Sequence, residues 1–236
     1  MAVYGREFEV RRKADMTPVT EADVRIEARL RQLIADRFPD DAVLGEEDGL
    51  QGPSGAARVW VIDPIDGTKN FAARIQVWAT LIALMVDGQP VLGVASAPAL
   101  GERYAAARGA GAILNGTPIH VSDVGDLGEA LLCTGSVRPF AGTPWEGPFL
   151  RLSAEVYRTR GFGDFWGHTL VGRGSADAMV EAALHTWDWA AIAVIVGEAG
   201  GRVTQIDGSA PGDGASILTT NGVLHDLLVR RFAERS

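Results

Sequence analysis

Residues Trp60–Phe71 read WVIDPIDGTKNF. An apolar, strand-like run ends in Asp63, and Asp66, Gly67 and Thr68 follow directly after Pro64 and Ile65. Taken alone, Asp66-Gly67 is a turn. Taken together, a strand that ends in one carboxylate and a turn that carries another bring two negative charges close. Uncompensated they repel, and a bound cation relieves the repulsion. The stretch offers only oxygen donors, which suit Mg²⁺ or Mn²⁺ rather than Zn²⁺ or Cu²⁺. Gly67 opens a short helical segment, and the unpaired N–H groups of a helix start form an anion site, above all for phosphate. A cation site beside a phosphate cradle is the equipment of metal-assisted phosphoryl chemistry, in which the ion neutralises the phosphate and acidifies a water. No GxxxxGK[ST] loop is present, so nothing supports the use of nucleoside triphosphates.

Working outward, TEADVRIEARLRQLIADRF repeats apolar residues at helical spacing (Ile26, Leu30, Leu33, Ile34, Phe38). Thr20 with Asp23 forms a capping-box pattern at its start, and Pro39 stops it. AVLG is a strand running into the acidic loop Glu46-Glu47, and RVWVID is a strand that Pro64 is expected to end. VWATLIALMV and PVLGVASAP form a hairpin through DGQ; Asn115-Gly116 marks another. Beyond a composition shift near DVGDLGE, strands and helices alternate, which indicates α/β layering. ALLCTGSV, RTRGFG, RVTQID and SILTTN read as strands, and FLRLSAEVY, TWDWAAIAVIVGEAGG and GVLHDLLVRRFAER as helices. DFWGHTLVGRGSADAMV reads as helical until its glycines. The expected halves are residues 1–125, carrying most of the acidic motifs, and 126–236.

Bulk properties narrow the partners. A chain of 236 residues with 47% hydrophobic and 22% charged residues has ample core. Its net charge of -8 argues against a nucleic-acid partner. A single cysteine, Cys133, excludes an internal disulfide and fits a reducing cytoplasm. No long apolar run crosses a membrane, and MAVYGREFEVRRKAD lacks a signal-peptide core. The histidines His120, His168 and His225 lack ligand spacing and read as surface or packing residues. Further carboxylates sit at element ends: Glu46 and Glu47 in a loop, Asp23 at a helix start, and Asp188 at the start of WDWAA, where an N-cap is the simplest role.

GEE, DPIDGTKNF and WDWAA together resemble, in order and spacing, the signatures of the inositol monophosphatase-like family of metal-dependent, lithium-sensitive phosphatases. The resemblance runs from about Lys13 to the last helix. It implies a five-layer αβαβα sandwich of the sugar-phosphatase type, a homodimer, and two or three Mg²⁺ ions per site, with Mn²⁺ as a substitute. By motif, Glu46, Asp63 and the Ile65 carbonyl would hold one metal; Asp63, Asp66 and Asp188 would hold a second. Thr68 would orient the attacking water with Glu46 nearby, Asp23 would support Thr68, and the N–H groups of Gly67 and Thr68 would bind phosphate. The implied reaction is hydrolysis of a small phosphate monoester by metal-activated water. A catalytically silent, binding-only relative is the reading of another class, and the complete ligand set argues against it.

The substrate is expected from the second half. RTRGFGDFWGHTLVGRGSAD is similar to the bacterial histidinol-phosphate phosphatase branch. Asp164 would pair with the ammonium of an amino alcohol, or else cap the helix FWGHTLV. Phe165 and Trp166 read as core residues or as packing for an imidazole. EAALHTWD places Glu181 and His185 before Asp188 as in inositol phosphatases, so inositol-1-phosphate is the alternative substrate. Lys13 and Arg160 are candidate phosphate or substrate contacts, or else solvated surface residues. The family starts with a long amphipathic helix, whereas twelve residues precede Lys13 here; either the start is misassigned or the helix is absent, and its loss would bare an apolar stripe.

Overall fold

The computed structural model describes residues 10–12 and 18–234. Lys13 and the segment where the first family helix would lie fall outside them. Strand β1 (Val10–Arg12) pairs antiparallel with β2 (Pro18–Thr20). Helix α1 (Glu21–Arg37) follows, and its start is the expected capping box: the Thr20 N–H donates to Asp23 Oδ2 at 2.7 Å, and Ala22 N–H donates to the Thr20 hydroxyl at 3.1 Å. The buried face differs from the apolar stripe. Ala22, Asp23, Glu27 and Ile34 are buried, whereas Leu33 and Phe38 are exposed. Two carboxylates on the inner face of a helix require partners, and both have them.

The first sheet comprises β3 (Ala42–Gly45), β4 (Gly49–Gln51), β5 (Arg58–Asp66), β6 (Ala79–Val86), β7 (Gln89–Ala97), β8 (Glu102–Ala107), β9 (Ala112–Leu114) and β10 (Thr117–Ile119). Their spatial order is β10-β9-β8-β7-β6-β5-β3-β4, and within it only β3 and β5 run parallel. The hairpin turns are built as expected, with positive φ at Asp87-Gly88 and at Asn115-Gly116. Pro64 does not end β5. The strand continues to Asp66 through an irregularity in register between Asp63 and Asp66, while Thr80 Oγ1 donates to the Pro64 carbonyl at 2.8 Å. A bulge is a place where a strand tolerates proline. Helix α2 (Thr68–Ala72) follows at once, with Gly67 left-handed at φ 83.

The second sheet has β11 (Leu131–Thr134), β12 (Arg158–Arg160), β13 (Ala178–Leu184), β14 (Arg202–Gln205) and β15 (Ala215–Thr220), in the order β12-β11-β13-β15-β14. Helix α4 (Asp164–Gly172) stops at its glycines, and the residues after it form β13, the middle strand, which the sequence reading had left unassigned. Helix α5 (Thr186–Glu198) is apolar all round and lies with α4 between the sheets. Its Ile192 and Ile195 are fully buried with Leu81 and Ala95 of the first sheet and Ile217 of the second. A Cβ at Gly93 on β7 would collide with the Ala191 carbonyl, so glycine permits the close approach of α5. Helices α3 (Glu146–Glu155) and α6 (His225–Ala233) cover the far face of the second sheet through Phe149, Leu152, Leu228 and Phe232. With α1 packed outside the first sheet against Val43 and Ile62, the layers run αβαβα. No helix among the described residues is long and apolar enough to cross a membrane.

Candidate active site

Strand β5 delivers Asp63 at its bulge and Asp66 at its end, and α5 delivers Asp188 in its first turn. One carboxylate oxygen from each lies within 4.8 Å of the others. Asp188 is not the N-cap. It stands three residues inside, where its Oδ2 accepts the backbone N–H of His185 at 2.7 Å, which fixes the carboxylate at the helix start. Asp66 Oδ2 accepts the backbone N–H of Phe165 at 2.6 Å, so the start of α4 holds the second ligand candidate. Asp63 is 2% exposed, and its Oδ1 has no hydrogen-bond partner among the described residues.

Such a cluster is electrostatically strained. Burial, then the charge of Asp66, raises the Asp63 carboxyl well above the usual range. Burial, then Asp164 and Asp188, does the same to Asp66. Burial pushes Asp188 up to about 7. Two buried carboxylates with a part-buried third, an orphaned oxygen and oxygen-only donors are what a hard divalent cation would satisfy, so the residues fit Mg²⁺. Glu46 and Ile65 line the same cleft.

Behind the carboxylates, the Thr68 hydroxyl donates to the Ile65 carbonyl at 2.9 Å, with Asp23 Oδ1 at 3.5 Å. Asp23 is fully buried, and its Oδ2 also accepts the Thr20 hydroxyl at 2.6 Å. Glu27, absent from the sequence reading, anchors the acidic loop. Its carboxylate accepts the N–H groups of Glu47 (2.9 Å) and Asp48 (3.0 Å) and pairs with Arg31 at 2.7 Å. Arg31 in turn donates to the carbonyls of Val43 and Gly49, on either side of Glu46.

The cleft has a volume of about 500 Å³. Asp164, Glu181 and His185 line it with Gly67 and Thr68. Asp164 is the first residue of α4, in a left-handed conformation at φ 55, rather than its cap. Its Oδ2 accepts from Asn70 Nδ2 at 2.8 Å, and burial, then the charge of Glu181, pushes it up to about 7. Phe165 is core, and Trp166 packs on Phe162 with ring centroids 4.8 Å apart, so neither needs an imidazole to explain it. His185 is half exposed, 3.3 Å from Asp213, with its ring stacked on Trp187. Arg160 is not brought to the cleft: it is exposed on the edge strand β12 and donates to the Thr159 carbonyl. Lys69, Trp187 and His168 also line the cleft, although the sequence reading gave them no role. His168 was read as a packing or surface residue, and only the fold brings it to this wall.

A model of the inositol monophosphatase family matches residues 1–236. A histidinol-phosphatase of Mycobacterium tuberculosis is 45% identical over 224 residues, covering 93% of this chain and 86% of that protein. An inositol-1-monophosphatase of Caulobacter vibrioides is 35% identical, covering 95% and 91%. The crystal structure of the extragenic suppressor protein suhB from Bartonella henselae superposes with a TM-score of 0.89 at 29% identity, covering 99% of this chain and 92% of that one.

Proposed function

The chain belongs to the inositol monophosphatase family and is a phosphoric monoester hydrolase; on that footing we propose that its substrate is histidinol phosphate. The observation that carries the choice is the juxtaposition of Asp164 and Glu181 in the cleft wall, where burial, and then the charge of Glu181, disfavours ionisation of Asp164. A cationic amino alcohol relieves that repulsion, and an uncharged polyol does not. The name borne by the relative from Mycobacterium tuberculosis points the same way.

Glu46, Asp63, the Ile65 carbonyl, Asp66 and Asp188 are the residues that would hold two or three Mg²⁺ ions, with Asp63 shared. When bound, the ions supply neutralisation of the phosphate and acidification of a water, and Mn²⁺ is a chemically reasonable substitute. Thr68, tied to Ile65 and backed by Asp23, orients that water, with Glu46 beside it as proton acceptor. Gly67 and Thr68 line the cleft, and their N–H groups would hold the phosphate oxygens. Asp164 and Glu181 orient the ammonium, which places the ester rather than the tail at the carboxylate cluster. The same reading takes the working enzyme to be a lithium-sensitive cytoplasmic homodimer.

The second reading is inositol-1-phosphate hydrolysis. It is favoured by Glu181 and His185 flanking the approach to Asp188, where hydroxyls would be met. Side-by-side kcat/KM values for histidinol phosphate, inositol-1-phosphate and an adenosine bisphosphate, with Mg²⁺ and with chelator, decide between them. Histidinol phosphate is expected to lead, and a clear preference for the inositol ester would overturn the choice.

A further inference from the structure

His168 lies one turn along α4 from Asp164, on the same face, and both line the cleft. A helical turn places it roughly 5 Å further along the wall than the carboxylate assigned to the ammonium. Its side chain is 3% exposed. Nδ1 lies 2.8 Å from the Thr219 hydroxyl on β15, which fixes the ring. Nε2 is 3.5 Å from Glu181 Oε2, too far for a hydrogen bond, and neither atom has a hydrogen-bond partner among the described residues. A Cβ at Gly135 would collide with Glu181 Oε1, and one at Gly163 would come within 3.7 Å of it, so the carboxylate is nested against glycine backbone on its other side. A ring nitrogen and a carboxylate oxygen, both desolvated, side by side and neither hydrogen-bonded, on the wall of a substrate cleft, are a recognition device awaiting its object.

We propose that His168 is a specificity-determining residue that, with Glu181, reads a hydrogen-bonding group at the end of the substrate remote from the phosphate. The carboxylate beside Nε2 favours the tautomer with the proton on Nε2, and the Thr219 hydroxyl then donates to Nδ1. The cleft thereby offers one N–H donor and one carboxylate acceptor side by side. The matching substrate class is a phosphate ester whose tail both accepts and donates, such as an N–H heterocycle or a hydroxyl. An apolar tail of equal size leaves both protein groups desolvated and unpaired, and sites of that kind discriminate strongly. The inference rests on the phosphomonoesterase reading, and it holds for either substrate considered above.

The test uses two matched pairs of esters: histidinol phosphate with phenylalaninol phosphate, and inositol-1-phosphate with cyclohexyl phosphate. In the wild type, the polar-tailed member of the better pair is expected to lead by at least about a hundredfold in kcat/KM. His168→Phe is expected to lower that ratio at least about tenfold, mainly through the KM of the polar ester. His168→Gln, which returns an N–H donor to that depth, is expected to keep most of it. A ratio in His168→Phe within about twofold of wild type overturns the proposal, as does a wild type indifferent to the tail. If inositol-1-phosphate outpaces histidinol phosphate, the substrate choice fails alone, and the second pair still judges His168. Should His168→Phe not fold, ¹⁵N-histidine NMR of the wild type decides. The His168 Nε2 resonance, assigned through His168→Gln, shifts on adding L-histidinol or myo-inositol and not on adding L-phenylalaninol. No shift with either polar alcohol shows a site filled by water only and overturns the proposal.

Discussion

At the scale of single residues, the cluster sets chemistry against stability. Asp63→Asn removes a ligand proposed for both metals, so phosphate release with Mg²⁺ is expected to fall at least about a hundredfold. The same change removes one of three clustered, mutually repelling carboxylates, so the chelator-treated protein is expected to melt higher than wild type. Near-normal activity would remove Asp63 from the site; an unchanged or lower melting temperature would remove the repulsion. The pH dependence follows from the same groups. Their folded carboxyls are raised, Asp164 and Asp188 to about 7, so the folded state binds more protons and stability is lost as pH rises through that range. His225 opposes this at lower pH. Burial between Thr204 and Thr220 lowers it from 6.5 to about 4, so its contribution is lost as pH falls through that window. The clean interval therefore lies from about 6.5 to 8, where the metal-free protein is expected to weaken in urea and Mg²⁺ to abolish the loss. A metal-free protein that strengthens toward pH 8 contradicts the account. Asp63, Asp66 and Thr68 were legible because one short stretch holds them. His168 was not, since its meaning depends on Thr219 and Glu181, which only the fold brings near.

At the scale of elements, α1 is more than a cover for the sheet. It donates Asp23 to Thr68 and Glu27 to the loop that carries Glu46. Glu27→Ala leaves the part-buried Arg31 without its carboxylate, which costs up to about 3 kcal/mol. It also frees the Glu46 loop, so the Mg²⁺ concentration for half-maximal activity is expected to rise, read by metal titration beside urea unfolding. A variant destabilised but unaltered in metal response would limit Glu27 to folding. The capping box of α1 was legible because both partners lie within one turn of sequence. Strand β13 was not, because ADAMVEAAL is rich in helix-favouring alanine and its inner position between two strands suppresses the polar alternation that marks a half-buried strand. Pro64 misled for a related reason, since a bulge is set by pairing with β6 rather than by the local residues.

At the scale of the whole molecule, the site is assembled from elements distant in sequence. The first sheet gives Asp63 and Asp66, α4 gives Asp164, and α5 gives Asp188. The seating of α5 on β7 therefore reaches the chemistry. Gly93→Val drives a side chain against the backbone of Ala191, which cannot rotate aside, and α5 must shift with Asp188 at its head. A loss of about 1–3 kcal/mol in stability is expected, together with weaker Mg²⁺ activation, although Gly93 does not line the cleft. Calorimetry with and without Mg²⁺ measures both, and normal metal response in a destabilised variant would show that α5 holds its place. Mg²⁺ at about a hundred times its dissociation constant is expected to raise stability by about 2.7 kcal/mol in one cooperative transition, because its ligands bridge the layers. The layered class was legible from the alternation of strands and helices. That Asp188 joins Asp63 and Asp66 was legible only through the family resemblance, because nothing local records that α5 docks on the first sheet.

The adjacency of Asp164 and Phe165 has a consequence for anyone who would redesign this enzyme. One side chain lines the cleft, where it is proposed to meet the substrate, and is tied to Asn70, while the next backbone N–H grips Asp66. On that proposal, choice of substrate and geometry of the reaction centre are wired through a single peptide unit. Grafting another substrate's recognition residues at this point would retune catalysis whether or not the designer intended it, and selection for a new ester would first be felt as a change in turnover.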